Sequence, residues 1–223
     1  ANPTNENVNQ AAALAKGFKP ELLIAVGGGS SIDLAKAVSL LMTNAGPIEL
    51  YGGIGNVPRK GLPLVAIPTT SGTSSEITNV CALIDTQKVV KYVIIDNKLT
   101  PDLVVADPEL TKTVPMYHTL AGAFDAIAHA MERYFTNTAF VDFGDRMAEG
   151  VMKSMMKYMK LIKEDPENYD YRAEIMWGCK AAQDDFIGVG REQCWESHLL
   201  QRDIGSICMD SGCCCPALDA ACL

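Results

Sequence analysis

Asp125 and His129 stand four residues apart in AGAFDAIAHAMERYF, residues 121–135. That spacing puts a carboxylate and an imidazole on one face of a helix. The segment is otherwise alanine-rich and apolar, the composition of a buried helix, and burying either group unpaired is costly. The pair therefore calls for a shared partner, either a divalent cation or an internal hydrogen bond, and the residues alone leave both open. The chain has only two further histidines, His118 and His198, and no nucleophile elbow, so no Ser–His–Asp set is legible. His118, close after Pro115, reads as a helix-start or surface residue.

Two loops add a second kind of chemistry. IAVGGGSSIDLAK places Gly27, Gly28 and Gly29 between an apolar strand and a helix. Glycines there let a ligand approach the backbone, and the open N–H groups of the helix attract an anion; a tight turn without a ligand is the plainer alternative. Ser30 is the expected N-cap, with Asp33 completing an S-x-x-D capping box. This is not the GxGxxG fingerprint of dinucleotide binding. IPTTSGTSSEIT, residues 67–78, sets Thr69, Thr70, Thr73 and Thr78 among three serines directly after a second apolar strand. Ligands bind at the carboxyl ends of strands in open α/β sheets. A surface loop with a helix cap would carry the same residues.

The elements that must position these groups follow from hydrophobic patterning. ELLIAV (21–26), LPLVAIP (62–68) and LVVADP (103–108) are short apolar runs of the kind buried on both faces of a parallel sheet. VCALID and KYVIID form a strand pair with its turn near Thr86 and Gln87. A helical period runs through Ile32, Ala35, Val38, Ser39 and Met42. After Pro115 the pattern is helical throughout: the Asp125/His129 helix, a second ending near Asp165–Pro166, and a third in YRAEIMWGCKAAQDDF. Met147, Val151, Met155, Met159 and Ile162 share one stripe of the second helix and read as core packing. The fold class is α/β, with a Rossmann-like parallel sheet over residues 1–112 and an all-helical domain over 113–223, the boundary falling near 110–115.

The net charge of −8 argues against a general nucleic-acid binder. No apolar run approaches a membrane span, and ANPTNENVNQ is no signal-peptide core. Nearly half of the residues are apolar, enough for a packed core. Of eight cysteines, Cys208, Cys213, Cys214, Cys215 and Cys222 crowd into the last stretch. They lack a CxxC pair or a histidine, which argues against a built metal cluster. The remainder reads as a reduced, cytoplasmic protein.

GGGSSIDLAK, IPTTSGTSSEIT, VADPELTKTVP and AGAFDAIAHAMERYF, in this order, resemble the iron-containing (group III) alcohol dehydrogenases. AEIMWGCKAAQDDFIGVGREQCWESH is most similar to the butanol-dehydrogenase branch, and the resemblance reaches to about residue 200. It implies an NAD(P)-binding α/β domain followed by a helical metal-binding domain. The glycine turn, Gly27–Ser30 with Asp33, would hold the pyrophosphate. Thr69, Thr70, Thr73 and Thr78 would line the cofactor, and Lys91 would meet the ribose. Asp125 and His129 would be metal ligands, with His198 of CWESHLL the third. The implied cofactors are NAD or NADP and Fe2+ or Zn2+, the implied substrate a primary alcohol or aldehyde, and the usual assembly a homodimer.

The chain also departs from the family pattern. Arg202 stands where a further histidine is expected and Gly212 where a fourth metal ligand is expected. Divergence from about residue 207 onward fits a frame slip in the coding sequence. The chain lacks the segment that precedes NPT in the family and much of the later helical domain, so it reads as a partial sequence. Two alternatives follow: a glycerol-dehydrogenase-like polyol oxidoreductase, and an inactive fragment that binds nucleotide.

Overall fold

The computed structural model describes residues 2–200. The cysteine-rich stretch, Arg202, Gly212 and the divergent segment lie outside the described residues. Contacts divide the described residues into two compact units, the first running to Pro68 and again over Ser75–Ala106, the second comprising Thr69–Ser74 and residues 107–200. The break falls a few residues before the expected 110–115. The short return of Thr69–Ser74 to the helical unit has no counterpart in the sequence reading.

The first unit opens with a helix that the polar N-terminus concealed, α1, Asn5–Phe18. Thr4 caps it: its hydroxyl accepts from Asn7 N at 3.2 Å, and the Asn7 side chain returns a bond to Thr4 N at 3.3 Å. Next come β1 (Leu23–Gly27), α2 (Gly29–Thr43), β2 (Gly53–Ile54), β3 (Leu64–Pro68), β4 (Val80–Asp85), β5 (Val90–Ile95) and β6 (Leu103–Val104). β1, β3 and β6 form a parallel sheet in that order. The three runs read as apolar strands are these three. β4 and β5 pair antiparallel around the expected turn and take β2 as a parallel neighbour, making a second sheet. The core between these elements holds Val8, Ile48, Leu83 and Ile94, all fully buried, with Leu40 of α2.

One expectation is corrected here. Ser30 does not cap α2; the helix starts earlier, at Gly29, with Gly28 as N-cap and no side-chain cap bond. Gly27 has φ +151°, where a Cβ would lie 2.5 Å from Ser31 Oγ, so the chain turns early enough for Gly28 O to accept the first helical bonds. Asp33 is thereby rotated into the protein instead of back over the helix end. Its carboxylate accepts from Ser75 Oγ and, at 3.0 Å, from Ala82 N. Lys36, one turn on, donates at 2.8 Å to both Thr78 O and Val80 O. Burial pushes the Asp33 carboxyl up and the Lys36 ammonium down, each opposed by the charge of the other. The two buried charges thus tie α2 to residues 75–82.

The second unit consists of α3 (Met116–Tyr134), α4 (Asp142–Glu164) and α5 (Tyr169–Gln183), packed on one another. Ala123 and Ala126 of α3 meet Met155 and Ile162 of α4 and Ile175, Cys179 and Ala182 of α5. Small residues allow close approach: a Cβ on Gly178 of α5 would lie 2.0 Å from Met155 Cε. Val151, Met155, Met159 and Ile162 of the α4 stripe belong to this core, as a packing stripe should, whereas Met147, also expected on the stripe, lies outside it. Arg172 of α5 ties the unit together by donating to Thr111 O, Thr119 Oγ1 and Pro166 O. Among the described residues, no helix is long and apolar enough to cross a membrane.

Candidate metal centre and hydroxyl-rich loop

Helix α3 presents Asp125 and His129 one turn apart, both nearly fully buried. After α5 the chain passes a 3-10 turn, Asp185–Gly188, and residues 196–200 are helical again, carrying His198. His129 Nε2 and His198 Nε2 each lie 3.7 Å from the same oxygen, Asp125 Oδ1. One ligand atom from each residue falls within 4.8 Å of the other two. The imidazoles are stacked, centroids 4.7 Å apart and 13° from parallel. Donor atoms on a tetrahedral ion of this size sit about 3.4 Å apart, so a small closure brings the set into register.

Hydrogen bonding inside the cluster does not account for it. Asp125 Oδ1, His129 Nδ1 and His198 Nε2 are buried without a hydrogen-bond partner. A buried polar atom left so costs about 1–3 kcal/mol. Of the two partners the sequence left open for the Asp125/His129 pair, a mutual hydrogen bond is disfavoured by the 3.7 Å separation. The donor set, two imidazoles and one carboxylate without thiolate, fits Fe2+ or Zn2+.

The protonation state of His129 fits as well. Burial pushes His129 down to about 4, against the pull of Asp125, so its ring is neutral at neutral pH with a lone pair available. His198 is held above the usual imidazole range: burial lowers it, but the carboxylates of Asp125 and Glu132 outweigh burial. His198 Nδ1 lies 3.1 Å from Glu132 Oε1, which also accepts from His198 N at 3.2 Å. The raised pKa favours the imidazolium; the Glu132 contact holds one proton on Nδ1, so the proton on Nε2, facing Asp125, is the one a cation would displace.

Three residues of this centre were not singled out from the sequence. Glu132 continues the Asp125/His129 face by three residues, and Arg133 by four. Trp195 precedes His198 on the same turn. Its indole stands edge-on to both imidazoles, 5.3 Å from His198 and 6.1 Å from His129, and the Arg133 guanidinium lies 4.6 Å from its ring centre. The repeat 125, 129, 132/133 was the available signal, because ionisable groups recurring on one face of a buried helix need partners. Replacing Glu132 by alanine is expected to weaken divalent-metal affinity by about 10–100-fold, the usual effect of removing an outer carboxylate, with a smaller loss for Glu132→Gln. Competition with a chromophoric chelator reads this, and an unchanged affinity would refute the orienting role.

The remaining predicted site residues fall in two places. Gly27, Gly28, Gly29 and Ser30 line the β1–α2 junction, where the first N–H groups of α2 have no partner within the helix. Asp33, buried and engaged by Ser75 and Ala82, holds a loop in place instead of presenting its carboxylate to the surface. Thr78 gives its carbonyl and hydroxyl to Lys36, and Lys91 stands in β5 opposite Ile84. Thr69, Thr70 and Thr73 belong to the helical unit, partly buried. His118 lies in the first turn of α3, half-buried, its Nδ1 without a partner.

Two family models match the chain in consecutive stretches. The family model described as iron-containing alcohol dehydrogenase matches residues 1–108, and that of the C-terminal part of the Fe-containing alcohol dehydrogenase family matches 119–217. The sulfoacetaldehyde reductase of Bilophila wadsworthia is 41% identical over 198 residues, 89% of this chain and 50% of that protein. NADH-dependent butanol dehydrogenase B of Clostridium acetobutylicum is 29% identical over 206 residues, 92% of this chain and 53% of the relative. The crystal structure of NADH-dependent butanol dehydrogenase A from Thermotoga maritima superposes with a TM-score of 0.87 at 30% identity, covering 92% of this chain and 52% of that one. The chain spans about half the length of the curated relatives it matches.

Proposed function

Because the chain belongs to the iron-containing alcohol dehydrogenase family, we propose that it forms the nucleotide- and metal-binding part of an enzyme exchanging a hydride between a primary alcohol or aldehyde and NAD(H) or NADP(H). The observation that carries this reading is the convergence of His129 Nε2 and His198 Nε2, each 3.7 Å from Asp125 Oδ1, where Asp125 Oδ1 and His198 Nε2 are buried without a hydrogen-bond partner. Relatives named as NADH-dependent butanol dehydrogenase, NAD-dependent methanol dehydrogenase and NADPH-dependent aldehyde reductase support the reaction class. A related structure described as sulfoacetaldehyde reductase in complex with NAD+ supports the cofactor.

Each group then has a defined task. Asp125, His129 and His198 hold a divalent cation, which when bound supplies Lewis-acid polarisation of the substrate oxygen. Glu132 keeps the His198 proton on Nδ1 throughout. Trp195 covers the imidazoles and limits water access to them. The open N–H groups at the start of α2 receive the pyrophosphate of the dinucleotide, with Gly27–Ser30 allowing its approach. Thr69, Thr70 and Thr73 offer neutral hydroxyls to the cofactor, Lys91 offers a cation to its ribose, and Asp33 and Thr78 hold the loop between them. The substrate reading is a short, butanol-like alcohol. The 41% identity to a sulfoacetaldehyde reductase favours a second one, a small aldehyde bearing an anionic group.

Titration of the purified chain with NADH and NADPH, followed by nicotinamide fluorescence, tests the reading together with elemental analysis and turnover assays. The assays use butanol, glycerol and sulfoacetaldehyde. Saturable nucleotide binding and stoichiometric metal are expected. Nucleotide binding without turnover would support the inactive-fragment alternative, and preferred turnover of glycerol the polyol alternative. Absence of nucleotide binding would overturn the proposal.

A further inference from the structure

Gly122 lies one turn before Asp125 on α3, on the side where the Thr69–Ser74 loop packs. A Cβ built on Gly122 would stand 1.9 Å from Ser71 O, 2.8 Å from Ser71 C and 3.1 Å from Gly72 Cα. From the other side, a Cβ on Gly72 would meet Gly122 Cα at 3.0 Å. Loop and helix therefore touch backbone to backbone, with no side chain between them. The loop's own conformation needs such support. Gly72 has φ +154°, and Ser74, which is not glycine, has φ +50°. A left-handed non-glycine residue persists only where its surroundings enforce it.

We propose that this contact is a positioning device: it sets the distance of the hydroxyl-rich loop from the helix bearing Asp125 and His129, and so fixes how a nicotinamide dinucleotide held by the loop is presented to the metal site. The inference rests on the dehydrogenase reading. Within the contact, the loop is the part that yields. Helix α3 is anchored by its alanine core, by Arg172 on Thr111 and Thr119, and by Cys179 Sγ, 3.6 Å from Gly122 O. The loop has few ties: Ser74 Oγ donates to Gly72 O at 3.4 Å, and among the described residues no hydrogen bond is seen for the hydroxyls of Thr69, Thr70 and Thr73. An added methyl must push the loop out by roughly 1.5 Å to reach an ordinary contact. A misplacement of about 1 Å can cost on the order of 100-fold where reacting groups must be aligned.

Gly122→Ala, Gly72→Ala and the control Gly150→Ala, whose Cβ on α4 would meet nothing within 4 Å, test this in the whole chain. Three quantities are read: amide hydrogen exchange of residues 69–74, bound metal, and NADH affinity. Gly122→Ala is expected to speed exchange in 69–74 and to weaken NADH binding by about 10-fold or more, short of the 100-fold ceiling, with metal content as in the unsubstituted chain. Gly72→Ala should do the same from the opposite side. Exchange and NADH affinity matching the Gly150→Ala control would overturn the proposal while leaving the dehydrogenase reading intact. An unsubstituted chain that takes up metal but binds no NADH would overturn both. Loss of helical circular dichroism in both contact variants would refute the claim that the loop yields and not the helix.

Discussion

The Asp125→Ala chain is expected to emerge from purification with almost no divalent metal and to bind added Zn2+ or Co2+ more than about 100-fold more weakly, beyond the effect of losing an outer carboxylate. Asp125 Oδ1 is the common vertex of the site, 3.7 Å from a ring nitrogen of each histidine, so its loss removes the only anionic ligand of the set among the described residues and the atom on which both imidazoles converge. His129→Ala should have a similar effect. The helix itself should tolerate either change, because alanine is the best helix former and the Ala123/Ala126 face toward α4 and α5 is untouched. Nucleotide binding, assigned to the β1–α2 turn and the hydroxyl-rich loop, should persist. Trp195 offers a second readout. It lies 5.3 Å from the His198 ring, whereas Trp177, the other tryptophan, is largely exposed on α5. In a Trp177→Phe background, Co2+ should quench Trp195 fluorescence in the parent chain and leave it unchanged in Asp125→Ala. Equal metal content in the two chains would refute the ligand assignment.

Local signals carried further than expected in some places and failed in others. The Asp125/His129 pair was legible because i and i+4 define a face without any tertiary knowledge. The three strands of the parallel sheet were legible because a strand covered on both faces must be continuously apolar. The resemblance to the iron-containing alcohol dehydrogenases is now supported by family models over both halves of the described chain. Helix α1 escaped notice because its buried face is narrow, Asn5, Val8 and Ala12, and its cap uses Asn7 where a capping box usually has a longer acid or amide. Ser30 was misread for a different reason. S-x-x-D is a cap pattern only if the helix begins there, and the start was set by how Gly27 turns against Ser31, a three-dimensional constraint. Asp33 and Lys36 likewise resemble an ordinary helix-surface pair, and only packing shows that both are buried and spent on residues 75–82. The assignment of Thr69–Ser74 to the helical unit depends on Gly122, far away in the chain, and has no local signature.

The second large effect concerns a residue with no assigned chemistry. Arg133→Met is expected to destabilise the helical unit by about 3–5 kcal/mol, from carbonyl acceptors left without a donor at about 1–3 kcal/mol each. For a unit of roughly 100 residues that is a fall in Tm of about 15–30 °C. Arg133 is among the largest fully buried side chains, and its guanidinium donates to His129 O, Ala182 O and Gln183 O, each at 3.2 Å. Its ion pair with Asp185, at 3.3 Å, contributes little because the Asp185 side chain is 82% exposed. The carbonyls decide the magnitude: methionine fills the volume but leaves Ala182 O and Gln183 O at the end of α5 without the guanidinium donor, whereas His129 O, inside α3, keeps its helical partner. Lysine should recover only part of the loss, since a single ammonium cannot reproduce a planar fork that serves several acceptors and also packs on the Trp195 ring. Because Trp195 and His198 lie on the segment that Arg133 helps to seat, Arg133→Lys should also lower metal affinity at temperatures where the unit is still folded. A Tm within about 3 °C of the parent chain, less than 1 kcal/mol for a unit of this size, would show that the buried guanidinium is not what joins the ends of α3 and α5.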